Sequence, residues 1–219
     1  DGGGGGSCLF KHLSISKWAP TISFWAPTVV GRAPILLFLC FPLSLFAFVV
    51  DPSALTFVGM VAATYLFPLV AFKLHNLVCP LEEGTFSIVQ GYSPWYGTHM
   101  IQTMFIAFPR LETALRLVPG VFALWLRMWG SKVGSNVYFT PHFEVADRSL
   151  LDIGNNCVFG YDVKIASHVI SPSRELGLKI YIKSVVIEDG GFVGATSRLA
   201  PGVHVKKGAL VKATTNVYP

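Results

Sequence analysis

Charge is what this chain has least of. Only 13% of its 219 residues are Asp, Glu, Lys or Arg, about half the usual share of a soluble domain. The hydrophobic content is 52%, the mean hydropathy is +0.55, and together these point to membrane contact. The net charge of +5 is modest, its basic residues are scattered, and no motif interleaves them with aromatics, so nucleic-acid binding is not expected. Four cysteines (Cys8, Cys40, Cys79, Cys157) form neither a CxxC metal pair nor a recognisable disulfide framework, which suits a reducing compartment. No glycine-rich phosphate loop accompanies a nucleotide-binding domain. Glycine is concentrated at the start, where Asp1–Ser7 holds five in a row, so residues 1–10 read as a flexible lead.

Two runs lack charge entirely: Ala33–Val50, then Pro52–Phe72 beyond Asp51. Each is about long enough to cross a hydrocarbon core as a helix. The short Asp51-Pro52-Ser53 link predicts a helical hairpin over residues 33–72, transmembrane or, given Pro34, Pro42 and Pro68, re-entrant. Lys11, Lys17 and Arg32 before it and Lys73 after it place both ends on the cytoplasmic side of the inner membrane. Residues 95–130 mix tryptophan and arginine into apolar helices, broken at Pro119-Gly120. Such helices suit the membrane interface, and they can equally pack on the hairpin and cap the next domain. The domain expectation is therefore a helical anchoring region over 11–131 and a β domain over 132–219.

The β domain is marked by a period of six. Ile187, Val193, Leu199, Val205, Val211 and Val217 are evenly spaced, and the residue four places after each of the first five is small or compact: Gly191, Ser197, Val203, Ala209, Thr215. Upstream, Val133, Phe139 and Val145 keep the spacing; after a two-residue slip, Ile153, Phe159 and Ile165 resume it. Neither helix nor strand has this period. It predicts a mainly β fold, a hexapeptide-repeat solenoid of roughly four triangular coils whose anchors stack in an apolar column. The repeat breaks at length once, between Ile165 and Ile187, with the excess around Ala166–Glu175. Loops on rigid scaffolds often carry function. His168 opens this one, and histidine is the natural base for a hydroxyl near neutral pH.

These features resemble a known family. A His168-x-x-x-Pro172 loop, two hexads after the Ile153-Gly154-x-Asn156 rung and before an Ile187…Val193-Gly194 rung, is similar to the maltose, galactoside and nodulation-type O-acetyltransferases, which are left-handed β-helix hexapeptide transferases. The resemblance covers about Val133–Pro219. The added hairpin is more like membrane-attached acyltransferases of envelope polysaccharide or lipid synthesis. The resemblance implies a left-handed parallel β-helix, a homotrimer, and direct acyl transfer from acetyl-CoA or another acyl-CoA to a glycan or lipid hydroxyl. It implies His168 as general base, and Asp147, His142 and Arg174 on the acceptor side. His142 stands where relatives often have asparagine. Ala195 and Ala213 match pantetheine-binding positions, and Lys206, Lys207 and Lys212 are candidates for the nucleotide phosphates. Two alternatives keep the solenoid. One is an inert membrane scaffold. The other is a γ-carbonic-anhydrase-like zinc site, for which the expected third histidine is Ala209, so no metal is expected.

Overall fold

The computed structural model describes residues 39–88 and 92–219. The lead at 1–10 and the start of the hairpin, 33–38, lie outside the described residues. Among the described residues two compact units are present: residues 39–82 with 88 and 92–104, and residues 83–87 with 105–219. Residues 105–131 and a short segment near Gly84 belong with the β domain.

In the first unit, α1 (Leu39–Val50) and α2 (Ala54–Val78) are joined by a tight turn. Ser53 caps α2 through a reciprocal exchange with Thr56, and Phe48 meets Phe57 at 5.7 Å. Residues Ala62–Leu66 open into a π turn just before Pro68. Proline has no N–H for the helical ladder, and a wider turn is a common accommodation. Among the described residues, α2 alone is long and apolar enough to cross a membrane. Many of its side chains face outward bare: Leu55 is 81% and Leu77 79% exposed. Cys40 and Cys157 are free thiols. Cys79 is disulfide-bonded, which departs from the expectation of no disulfide framework.

Helix α3 (Pro94–Ala107) crosses the boundary between units; α4 (Arg110–Arg116) and α5 (Val121–Trp129) belong to the second. Gly120 and Gly130 bound α5 with φ of 82° and 110°, conformations that cost a side-chain-bearing residue more. These helices bury part of their apolar surface and leave part bare, with Leu117 72% and Leu124 52% exposed. Trp125 and Trp129 are 3% and 0% exposed. Arg127 donates to the carbonyls of Val133 and Gly134 at 2.8 and 2.7 Å. Through Arg127 the last helix is tied to the first coil, as the capping expectation has it.

The solenoid is a three-sided parallel β-helix. One face stacks β2 (Lys132–Val133), β5 (Leu151–Ile153), β10 (Val185–Ile187) and β13 (His204–Val205). The second stacks β3 (Tyr138–Phe139), β6 (Val158–Phe159), β11 (Phe192–Val193) and β14 (Leu210–Val211). The third stacks β4 (Glu144–Val145), β7 (Lys164–Ile165), β12 (Arg198–Leu199) and β15 (Asn216–Val217). The register puts anchor on anchor in every column, as with Val133, Ile153, Ile187 and Val205. All six-spaced anchors through Val205 are buried, and Phe139 and Phe159 stack with rings 5.2 Å apart and parallel within 2°.

The long break is not an irregular loop. It is a hairpin of β8 (His168–Ser173) and β9 (Gly177–Ile182), and β1 (Gly84–Ser87) adds a third antiparallel strand to its edge. Glu83 fastens the join, its Oε2 lying 2.8 Å from Lys183 Nζ and its Oε1 accepting from the Ser184 N–H at 3.0 Å.

Candidate active site

Both breaks in the six-residue period fall at the same corner of the triangle, between the third face and the first. The two-residue slip becomes the turn Asp147–Leu150, where the Leu150 N–H donates to the Asp147 carbonyl at 3.3 Å. The long break leaves the helix at Ser167 and returns at Lys183, whose N–H donates to the Ser167 carbonyl at 2.9 Å. One coil apart, the two breaks face each other.

What meets there is a carboxylate and an imidazole. His168 Nδ1 lies 2.6 Å from Asp147 Oδ2. The same oxygen accepts the Ser167 N–H at 2.9 Å, and Ser167 Oγ donates to the Leu150 carbonyl at 2.9 Å. Asp147 is 3% exposed, whereas the His168 side chain retains 16%. With a carboxylate accepting from Nδ1–H, the ring takes the tautomer whose basic lone pair is on Nε2, at the opposite edge. The ring is thereby held in one orientation against a buried carboxylate. The Asp147 carboxylate is buried and engaged by His168 and the Ser167 N–H.

The other sequence candidates lie elsewhere. Arg174 is exposed at the tip of the β8–β9 hairpin, about 20 Å along the strand from His168 at the usual rise per residue. That reach removes it from the dyad. His142, Ala195, Lys212 and Ala213 gather at the corner between the second and third faces, where the His142 ring lies 4.8 Å from the Tyr161 ring. Gly194 there is tightly stacked: a Cβ would come within 2.4 Å of the Ala213 backbone N. Lys206 and Lys207 occupy the remaining corner, both exposed. Of the candidates, Asp147 is therefore the one that lies against His168 in a single chain. His204 pairs with Glu188 at 2.6 Å. The described residues hold no group of three His, Cys, Asp or Glu that could ligate one metal ion.

Residues the sequence reading did not select line a cavity of about 240 Å³ on the outer side of the third face. Phe105, Pro109, Glu112 and Arg148 form one wall; Lys164 and Arg198 form part of the other. Arg148 and Glu112 are both 1% exposed and pair at 2.6 Å. Arg116 donates to the Pro141 carbonyl at 2.8 Å, and burial pushes its guanidinium down to about 10. A hydrogen bond to Glu144 raises Lys164. For Glu112 and Arg116 the available signal is a charged residue inside an otherwise apolar helical segment.

No protein-family model matches the chain. Over 83 residues it is 32% identical to a galactoside O-acetyltransferase from Lactococcus lactis, covering 36% of this chain and 40% of that protein. The β domain is a hexapeptide-repeat parallel β-helix. The chain spans two fifths of the length of that relative. Among solved structures, a hexapeptide-repeat-containing acetyltransferase from Vibrio cholerae aligns over 50% of this chain and 78% of its own, at 18% identity and a TM-score of 0.34. A galactoside acetyltransferase in complex with coenzyme A aligns over 49% and 78%, at 16% identity and a TM-score of 0.23.

Proposed function

We propose that this protein is a membrane-attached O-acetyltransferase that moves the acetyl group of acetyl-CoA onto a hydroxyl of an envelope glycan or lipid-borne acceptor. The observation that carries the reading is the Asp147–His168 pair, set at the one corner where both repeat breaks meet. In the proposed step His168 Nε2 takes the proton from the acceptor hydroxyl. The alkoxide oxygen adds to the thioester carbonyl, the C–S bond breaks, and the CoA thiolate leaves and takes the proton from the imidazolium. The products are an acetyl ester and CoA–SH, with no covalent enzyme intermediate. Asp147 stabilises the imidazolium and holds the ring angle.

The coenzyme A side is assigned to Ala195, Ala213 and Lys212, with Lys206 and Lys207 as further phosphate contacts. The first three sit at a different corner from His168. A complete site therefore needs a neighbouring copy to offer its second corner to the first copy's dyad, which favours the homotrimer. Membrane attachment rests on α2, whose 25 residues span about 37 Å as a helix, and on its bare apolar side chains. The flanking cations favour a solenoid facing the cytoplasm, where it would meet acyl-CoA.

The experiment supplies isotope-labelled acetyl-CoA to membranes carrying the wild type or His168→Ala and profiles glycans and lipids by mass spectrometry. Label entering one acceptor class with the wild type alone is expected. Equal labelling from both proteins, each folded and present, would remove the reading and favour an inert scaffold.

A further inference from the structure

Glu112 is the single acid of α4, and its carboxylate is buried. Arg148 engages both its oxygens, Nε donating to Oε1 at 2.6 Å and Nη2 to Oε2 at 2.8 Å. Trp125 Nε1 donates to Oε1 at 2.8 Å, and the Arg116 guanidinium stands 3.7 Å from Oε2. The Arg148 guanidinium also lies 5.3 Å from the centre of the Phe105 ring. A buried ion pair is no better for packing than apolar residues of similar volume, and often worse. Packing alone therefore does not call for it. A bidentate pair does fix direction.

The direction it fixes is that of the turn beside the dyad. Arg148 follows Asp147 in the chain. Its side chain is held by Glu112, and its carbonyl accepts Ser131 Oγ–H at 2.7 Å. That same Ser131 oxygen accepts the Leu151 N–H at 3.0 Å. Ser131 thus holds the turn at the Arg148 carbonyl and at the Leu151 N–H, and Glu112 holds the Arg148 side chain, next to the residue whose carboxylate meets His168 Nδ1.

We propose that Glu112 is a positioning residue for the Asp147–His168 dyad, acting through Arg148. The proposal rests on the reading of His168 as the base. It makes the helical cap part of the catalytic apparatus, 36 residues away in sequence.

The test uses the full chain in detergent with 15N-labelled histidine. Wild type is expected to show a downfield Nδ1–H proton resonance that His168→Ala removes. The double variant Glu112→Met/Arg148→Met replaces the ion pair by apolar side chains, a change buried pairs often tolerate. It is expected to melt cooperatively, to broaden or lose the resonance, and to transfer label from acetyl-CoA to membranes about tenfold to a hundredfold more slowly. The KM for acetyl-CoA should stay near the wild-type value. A folded double variant with wild-type resonance and rate would overturn the proposal. Should it fail to fold, Glu112→Gln decides: a shifted resonance and slower transfer support positioning, and no change in either overturns it. Wild-type transfer that does not depend on His168 would instead defeat the reading of the base.

Discussion

Asp147 and His168 divide one task between a dry group and a wet one. The carboxylate is buried and takes two donors on one oxygen, while the imidazole keeps an edge in solvent. Asp147→Asn keeps the shape and removes the charge. Its expected effect is a fall in kcat on the order of a hundredfold, with the KM for acetyl-CoA nearly unchanged, read from initial rates of label transfer. A rise in KM at constant kcat would mean that Asp147 binds substrate, the role its position in the family pattern implies. His168 was legible in the sequence because a histidine opened the long break. The pairing with Asp147 was not, because the slip and the break obscure that the two residues share a corner. Arg174 illustrates the opposite error: an ordered strand pair carries it away from a site that a compact loop would have kept it near. Glu112 was beyond reach, since nothing local to α4 names Arg148 as its partner.

At the scale of elements, the coils stand on anchors and corners. Phe159 is fully buried between Phe139 and Phe143. Phe159→Ala is expected to cost about 3–5 kcal/mol, measured by denaturant unfolding. Gly160 has no room for a side chain, because a Cβ would lie 2.6 Å from the Ala195 backbone N. Gly160→Ala should then cost about 1–3 kcal/mol through overpacking. The last coil is tied to its neighbour by Glu188, which accepts the Lys207 N–H at 2.8 Å and pairs with His204. The Lys207 N–H, then His204, hold the Glu188 carboxyl below its usual value. A depressed acid contributes stability above its unfolded value and loses it as pH falls through the folded one. Amides of residues 204–208 should therefore exchange faster on acidification below about pH 4, after correction for intrinsic rates. Glu188→Gln should abolish that dependence. The hexad period makes this architecture readable in the sequence, since each anchor names its own position in the column. Strand β1 was not readable: Gly84–Ser87 is four residues long and gains its identity only by pairing with β9.

The whole molecule is less divisible than its composition suggests. A boundary at Lys132 separates apolar helices from a repeat domain on paper. It also strips β1 from the hairpin that begins with His168, and Glu112 from Arg148. A chain beginning at Lys132 is expected to lose cooperative melting or to melt well below the full chain. One beginning just before Glu83 should keep the hairpin sheet. Equal melting of the two would contradict the roles given to β1 and the helical cap. The bare apolar side chains of α1 and α2 belong to the other unit, and they motivate the membrane-attached reading. The central claim, that the chain transfers acetyl groups with His168 as base, is tested most directly by labelled acetyl-CoA given to membranes bearing the wild type or His168→Ala. The account predicts label in one glycan or lipid class with the wild type and a loss of about a hundredfold or more in the variant. Equal labelling by two folded proteins would contradict it.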